Sequence, residues 1–329
     1  MNHSLSGRAR WSTVWIVLLA LFGISTSCAQ DQGAGDAGKS GRHDEPAAEK
    51  NAAEKSVADS KPRGKQPSDT YLRISETANG EPKAMETAIV RFEGMSESKY
   101  HGRIVDLVGV VHIGDREYYN DLKKRLATYD VVLYELVAPD GTRIRPEDLQ
   151  DRRSVLASMQ SGMKDLLNLE YQLEHIDYLA ENFRHADMSP DEFMKDMESR
   201  GDGLWKLAAR MMGAGIATQA SSGGDAGLLM AMLSSDRSMK LKQVMSRQLA
   251  DVDAVTAGMD DETGSNTLIK GRNRKAFEVL REELDAGKKS VAVFYGAGHL
   301  SDMAERLQKD FTMKPTKTTW LPAWDLQRN

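Results

Sequence analysis

Apolar and polar positions follow two different periods along this chain. Short runs rich in β-branched residues stand at 87–92, 104–111, 131–136, 290–295 and 318–324, with the length and composition of strands. Between the third and fourth runs the period lengthens. Leu169, Leu173, Ile176, Leu179 and Phe183 predict one face of a helix. Ser189-Pro190-Asp191-Glu192 then supplies an N-cap, a proline at the first helical position and a capping box. A further helix through Phe277, Leu280 and Leu284 ends towards Gly287, and a strand follows directly. The expected fold is α/β: a central mixed sheet formed from N- and C-terminal segments, with a large helical insertion at about 146–285, inside a domain covering 69–329. Met211, Met212, Met230, Met232, Met239 and Met245 surround a Gly- and Ser-rich break at 213–227. They read either as adaptable filler in a helical hairpin or as a pliable groove for an apolar peptide or lipid-like ligand.

The first 68 residues have a different character. Arg8 and Arg10 precede an apolar stretch at 11–24, and Ser25-Thr26-Ser27 leads to Cys28. That stretch is shorter than the roughly 20 residues of a spanning helix, and the order is that of a signal peptide at 1–28. Cys28 stands where a lipoprotein signal carries its lipidated cysteine, and cleavage after Ala29 is the alternative. Residues 29–68 are Gly-, Ala-, Glu-, Lys- and Ser-rich with few large apolar side chains, the composition of a disordered tether. The expectation is an exported protein, periplasmic or membrane-anchored. Cys28 is the only cysteine, which excludes intrachain disulfides and thiolate metal sites. With 44 Lys and Arg against 49 Asp and Glu, no basic surface for nucleic acid is expected.

Two of the predicted strands end alike. Gly109-Val110-Val111-His112-Ile113-Gly114-Asp115 matches Gly296-Ala297-Gly298-His299-Leu300-Ser301-Asp302, and each copy leads into an amphipathic segment. One GxxH is common by chance. Two copies that share their flanking elements are expected on the order of once in a thousand comparable chains. Strand carboxyl ends are where open α/β sheets bind ligands, so two imidazoles delivered there can converge. Glu135 ends the run 131–135 and adds a carboxylate. His112, Glu135 and His299 then make a 2-His-1-carboxylate set for a divalent ion, whose bound water would be a hydrolytic nucleophile. The alternative is that both histidines are hydrogen-bonded strand-end residues and that Glu135 partners an arginine.

In these residues the chain resembles the TraB, PrgY and GumN group and the Tiki-type metalloproteases, which are marked by paired GxxH motifs and a Glu after an apolar strand. The resemblance covers most of 100–140 and 265–310, and more loosely 165–195. It implies a Tiki/TraB-like fold and a metal-dependent peptidase using manganese, cobalt or zinc. His112, Glu135 and His299 would be its metal-binding or catalytic residues. The group also carries an Arg and a polar residue on a late helix, usually after a Glu. Here Arg272 and Asn273 match, but Gly271 replaces the acid. Arg272 then reads as a clamp for a substrate carboxylate or oxyanion, or as a surface arginine. His185 and Asp187 sit at a predicted helix-to-helix corner that can reach the site. The leading expectation is an envelope hydrolase acting on a peptide or small-molecule amide. The competing ones are a metal-free His-base esterase and a non-catalytic binder of peptide, haem or iron, with Tyr119, Tyr134 and Tyr295 as candidate haem ligands.

Overall fold

The computed structural model describes residues 71–139, 167–201, 206, 230–250 and 266–327. The expected signal at 1–28, the tether at 29–68 and the Gly- and Ser-rich break at 213–227 lie outside them. The described elements run β1 (Leu72–Glu76), β2 (Pro82–Gly94), β3 (Ile104–Val110), the two-residue β4 (Ile113–Gly114), α1 (Arg116–Leu126), β5 (Val131–Tyr134) and β6 (Glu170–Tyr171). Then come α2 (Gln172–His175), β7 (Phe183–His185), α3 (Pro190–Ser199), α4 (Arg237–Ala250) and a π turn (Thr267–Gly271) that opens α5 (Arg272–Asp285). The chain closes with β8 (Ser290–Gly296), a 3-10 turn (Ala297–His299), α6 (Leu300–Asp310) and β9 (Met313–Asp325).

Seven strands form one mixed sheet. β2 gives one edge to antiparallel β9 along its whole length. Its other edge goes first to β1 and then to β3. Beyond β3 lie β8, β5 and β7, all parallel to it. Alternation along the buried strands sends side chains to both faces. Val291, Val293 and Tyr295 of β8 join a cluster with Phe277 and Leu280 of α5 and Met303 and Leu307 of α6. Ala292 and Phe294 join the opposite cluster, with Leu122 and Leu126 of α1 and Leu241 and Met245 of α4. Helices thus cover both faces, the arrangement a parallel sheet requires. No helix among the described residues is long and apolar enough to cross a membrane.

The expected α/β class and mixed sheet are observed, and β3, β5, β8 and β9 coincide with predicted runs. The insertion is not uniformly helical. The stretch read as one helix face becomes β6, the single turn α2 and β7. The reason is pairing: β5 needs a partner on its outer edge. Asn182 meets it at the turn, accepting from the Val132 amide and donating from its side chain to the Leu126 and Tyr129 carbonyls. α3 has its full capping box on Ser189, with Pro190 in the first turn. α5 ends ahead of Gly287, whose φ of 98° only glycine adopts readily.

Candidate active site at the carboxyl rim of the sheet

The four parallel strands β3, β8, β5 and β7 end at one rim of the sheet. His112, His299, Glu135 and Asp187 are the side chains that follow those ends. The two GxxH copies lie on neighbouring strands, with Val110 opposite Gly296. They diverge immediately afterwards. The first passes through β4, which pairs with β6, into α1. The second turns through a 3-10 turn straight into α6. Gly109 has a structural role, because a Cβ there would stand 3.1 Å from both the Ala88 carbonyl oxygen and Leu300 Cδ2. Gly296 instead contributes its amide, which donates to Glu135 Oε2 at 2.7 Å.

Both imidazoles are held by side-chain amides. Gln172 Nε2 donates to the Tyr178 hydroxyl at 2.7 Å, which leaves Oε1 facing His112 Nδ1 at 2.9 Å. Asn273 Nδ2 donates to Asp302 Oδ2 at 2.8 Å and to the His299 carbonyl at 3.1 Å, which leaves Oδ1 facing His299 Nδ1 at 2.7 Å. An amide oxygen can only accept, so each neutral ring carries its proton on Nδ1 and its lone pair on Nε2. His299 is 1% exposed and its Nε2 has no hydrogen-bond partner among the described residues. That nitrogen stands 3.5 Å from Glu135 Oε1, beyond a well-formed hydrogen bond.

Arg272 occupies the floor of the site. It is fully buried at the junction of the π turn and α5, and it donates to Asp187 at 2.5 Å and to Glu135 at 2.7 Å. Burial pushes the Glu135 carboxyl up, but Arg272, His299 and His112 outweigh it and hold the group well below the usual carboxylate range. Two carboxylates against one guanidinium leave a formal charge of about −1 in a desolvated pocket. The remaining nitrogen of Arg272, Nη1, has no hydrogen-bond partner among the described residues.

These contacts correct several expectations. Arg272 is neither a surface arginine nor an exposed clamp, since folding commits it to Asp187 and Glu135. At Gly271, where the resembling group has an acid, a Cβ would stand 2.8 Å from Asp196 Oδ2, so a larger side chain there requires Asp196 to shift. Asp187 supplies a carboxylate to Arg272 instead, and it does so from a strand-to-helix corner rather than a helix-to-helix one. His185 is a packing residue, bonded through Nε2 to the Leu136 carbonyl at 2.6 Å. Tyr119 and Tyr295 are fully buried and donate to the Val111 and Ala186 carbonyls, and Tyr134 is 3% exposed in the core. None of the three is presented as a haem ligand. Gln172 and Tyr178 have no local signal in the sequence, Asp302 stands out only as the closing position of the repeated motif, and Asp187, an acid between apolar Ala186 and Met188 after a strand, repeats the pattern that exposes Glu135.

His299 and Glu135 are brought together, but His112, Glu135 and His299 do not all lie within 4.8 Å of one another. Among the described residues the one His/Asp/Glu group that does is Glu170, Glu174 and His175. It is partly exposed, and Glu170 is already paired with Arg116 at 2.7 Å. His112 lies further out, near enough to act on the Glu135 charge. Comparison with protein-family models, curated proteins and solved structures found no match to this chain.

Proposed function

We propose that this protein is a metal-dependent hydrolase of peptide-like amide bonds, with a Tiki/TraB-like fold, working in the cell envelope. The observation that supports it best is the paired orientation of the imidazoles. Each gives its Nδ1–H to a side-chain amide, the arrangement that presents Nε2 to a metal. The donor set suits a divalent cation in kind: an orphaned buried imidazole nitrogen, an ionised carboxylate beside it, and a net negative charge to neutralise. His299 and Glu135 would hold the ion, with His112, the more exposed of the two histidines, as the third candidate ligand. A divalent ion held there would supply a water acidic enough to ionise near neutral pH. The chain's own residues do the rest. Arg272 and the Gly296 amide fix the Glu135 carboxylate, and Gln172 and Asn273 fix the rings. Manganese, cobalt and zinc all suit this donor set.

One observation favours a second reading. Because the trio is wider than one ion spans, His299 can act without metal, as a general base on an ester with Asn273 orienting its ring. Elemental analysis of the purified protein beside His299→Ala separates the two. The metal reading expects a stoichiometric divalent ion in the wild type, its loss in the variant, and hydrolysis abolished by a chelator. Hydrolysis that survives in metal-stripped protein selects the second reading. Under the first, Gln172→Ala weakens metal affinity about 10- to 100-fold, measured by competition with a chromogenic chelator.

A further inference from the structure

The imidazole proton of His299 has two candidate acceptors. Asn273 Oδ1 lies 2.7 Å from Nδ1, and Glu135 Oε1 lies 3.5 Å from Nε2. A carboxylate is ordinarily the stronger acceptor. Left to that competition, the proton would move to Nε2 and close the gap to Glu135, and the ring would lose the lone pair it presents to the centre. Something must hold Asn273 with its oxygen towards the ring.

We infer that Asp302 is a positioning residue that fixes the tautomer of His299 through the Asn273 amide. Asp302 Oδ2 accepts from Asn273 Nδ2 at 2.8 Å, a charge-assisted bond. A flipped amide would set Oδ1 against that carboxylate and against the His299 carbonyl, which now accepts from Nδ2 at 3.1 Å. The same bond draws electrons through the amide and makes its oxygen a better acceptor for Nδ1–H. Asp302 is itself fixed by Arg306, whose Nε donates to Oδ2 at 2.6 Å and Nη2 to Oδ1 at 3.3 Å. The relay therefore runs from Arg306 and Asp302 of α6 through Asn273 of α5 to His299 in the 3-10 turn that precedes α6.

The repeat sharpens the inference. Asp115, which corresponds to Asp302, touches neither His112 nor Gln172. It pairs with Lys242 at 3.1 Å and accepts from the Asp325 amide at 2.5 Å, tying α4 and β9 to the start of α1. His112 receives its amide from Gln172 instead. One Asp of the duplicated motif serves the fold, and the other serves the imidazole.

This inference rests on the rim being a His/His/Glu centre, but its test needs neither substrate nor metal. Two-bond nitrogen–proton spectra of the histidine-labelled, chelator-treated protein near pH 7.5 report which ring nitrogen is protonated. The His299 signal is identified by its loss in His299→Gln. The wild type is expected to show Nδ1–H. Asp302→Ala is expected to lose that pattern and gain Nε2–H, as is Asn273→Ala, while Asp302→Asn, which still offers an amide oxygen to Asn273, restores Nδ1–H. An Nε2–H ring or an imidazolium in the wild type overturns the inference without any variant. So does an unchanged Nδ1–H ring in Asp302→Ala that circular dichroism shows to be folded.

Discussion

Arg272 gives up its water on folding and replaces it with Asp187 and Glu135. Burial works against its charge, and the two carboxylates more than restore it. Removing the cation alone leaves two buried, adjacent anions, so Arg272→Met is expected to destabilise the domain by about 3–5 kcal/mol in urea unfolding. Adding Asp187→Asn to that variant is expected to recover part of the loss, because one anion then disappears. A fully additive double variant would mean that the three side chains do not act as a unit. The residues that were legible in the sequence share one property. His112, Glu135 and His299 are polar side chains placed where an apolar strand stops, which is a local signal. Gln172 and Asn273 act through contacts made across the fold, 60 and 26 residues away in sequence, and no local pattern announces such a contact. Arg272 and Asn273 are visible only through a resemblance, and the corner that carries Asp187 joins a strand to a helix rather than two helices.

The elements were legible where periodicity and capping agreed. Ser189 to Glu192 marked the start of α3, and the stop at Gly287 marked the end of α5, because both are set by local backbone chemistry. β1 and β7 escaped. β1 is Leu-Arg-Ile-Ser-Glu, with little apolar content, and β7 is three residues long, so both exist only through the strands they pair with. The π turn before α5 is likewise held from outside. Asp196 of α3 accepts from Thr267, Arg200 and Arg274. Burial raises the Asp196 carboxyl, but the bonds from Arg200 and Thr267 lower it further, and the net shift is downward. A depressed carboxyl contributes stability that is present above the unfolded value of about 3.9 and is lost as pH falls through the folded one. Amide exchange over 267–271, corrected for intrinsic rates, is therefore expected to quicken selectively below about pH 3.9. Asp196→Asn should remove that selectivity, and equal acid sensitivity in both proteins would refute the assignment.

At the scale of the whole molecule, the C-terminal strand braces the site from behind. Trp324 is fully buried on β9 and donates from Nε1 to the Ile113 carbonyl at 2.7 Å, one residue beyond His112. Trp324→Ala is expected to cost about 3–5 kcal/mol and to lower the midpoint of thermal unfolding, with a further loss from the carbonyl left unpaired. A drop within about 0.5 kcal/mol, the range of an ordinary surface substitution, would show that β9 is dispensable to the core. The adjacency of β3 and β8 has a consequence for the protein's life history. The Gly296 amide that seats Glu135 lies 161 residues further along the chain, and His299 follows it. A polypeptide synthesised only as far as β5 holds His112 and Glu135 without the Gly296 amide and His299, so this rim of the sheet cannot assemble before the β8 segment has been made.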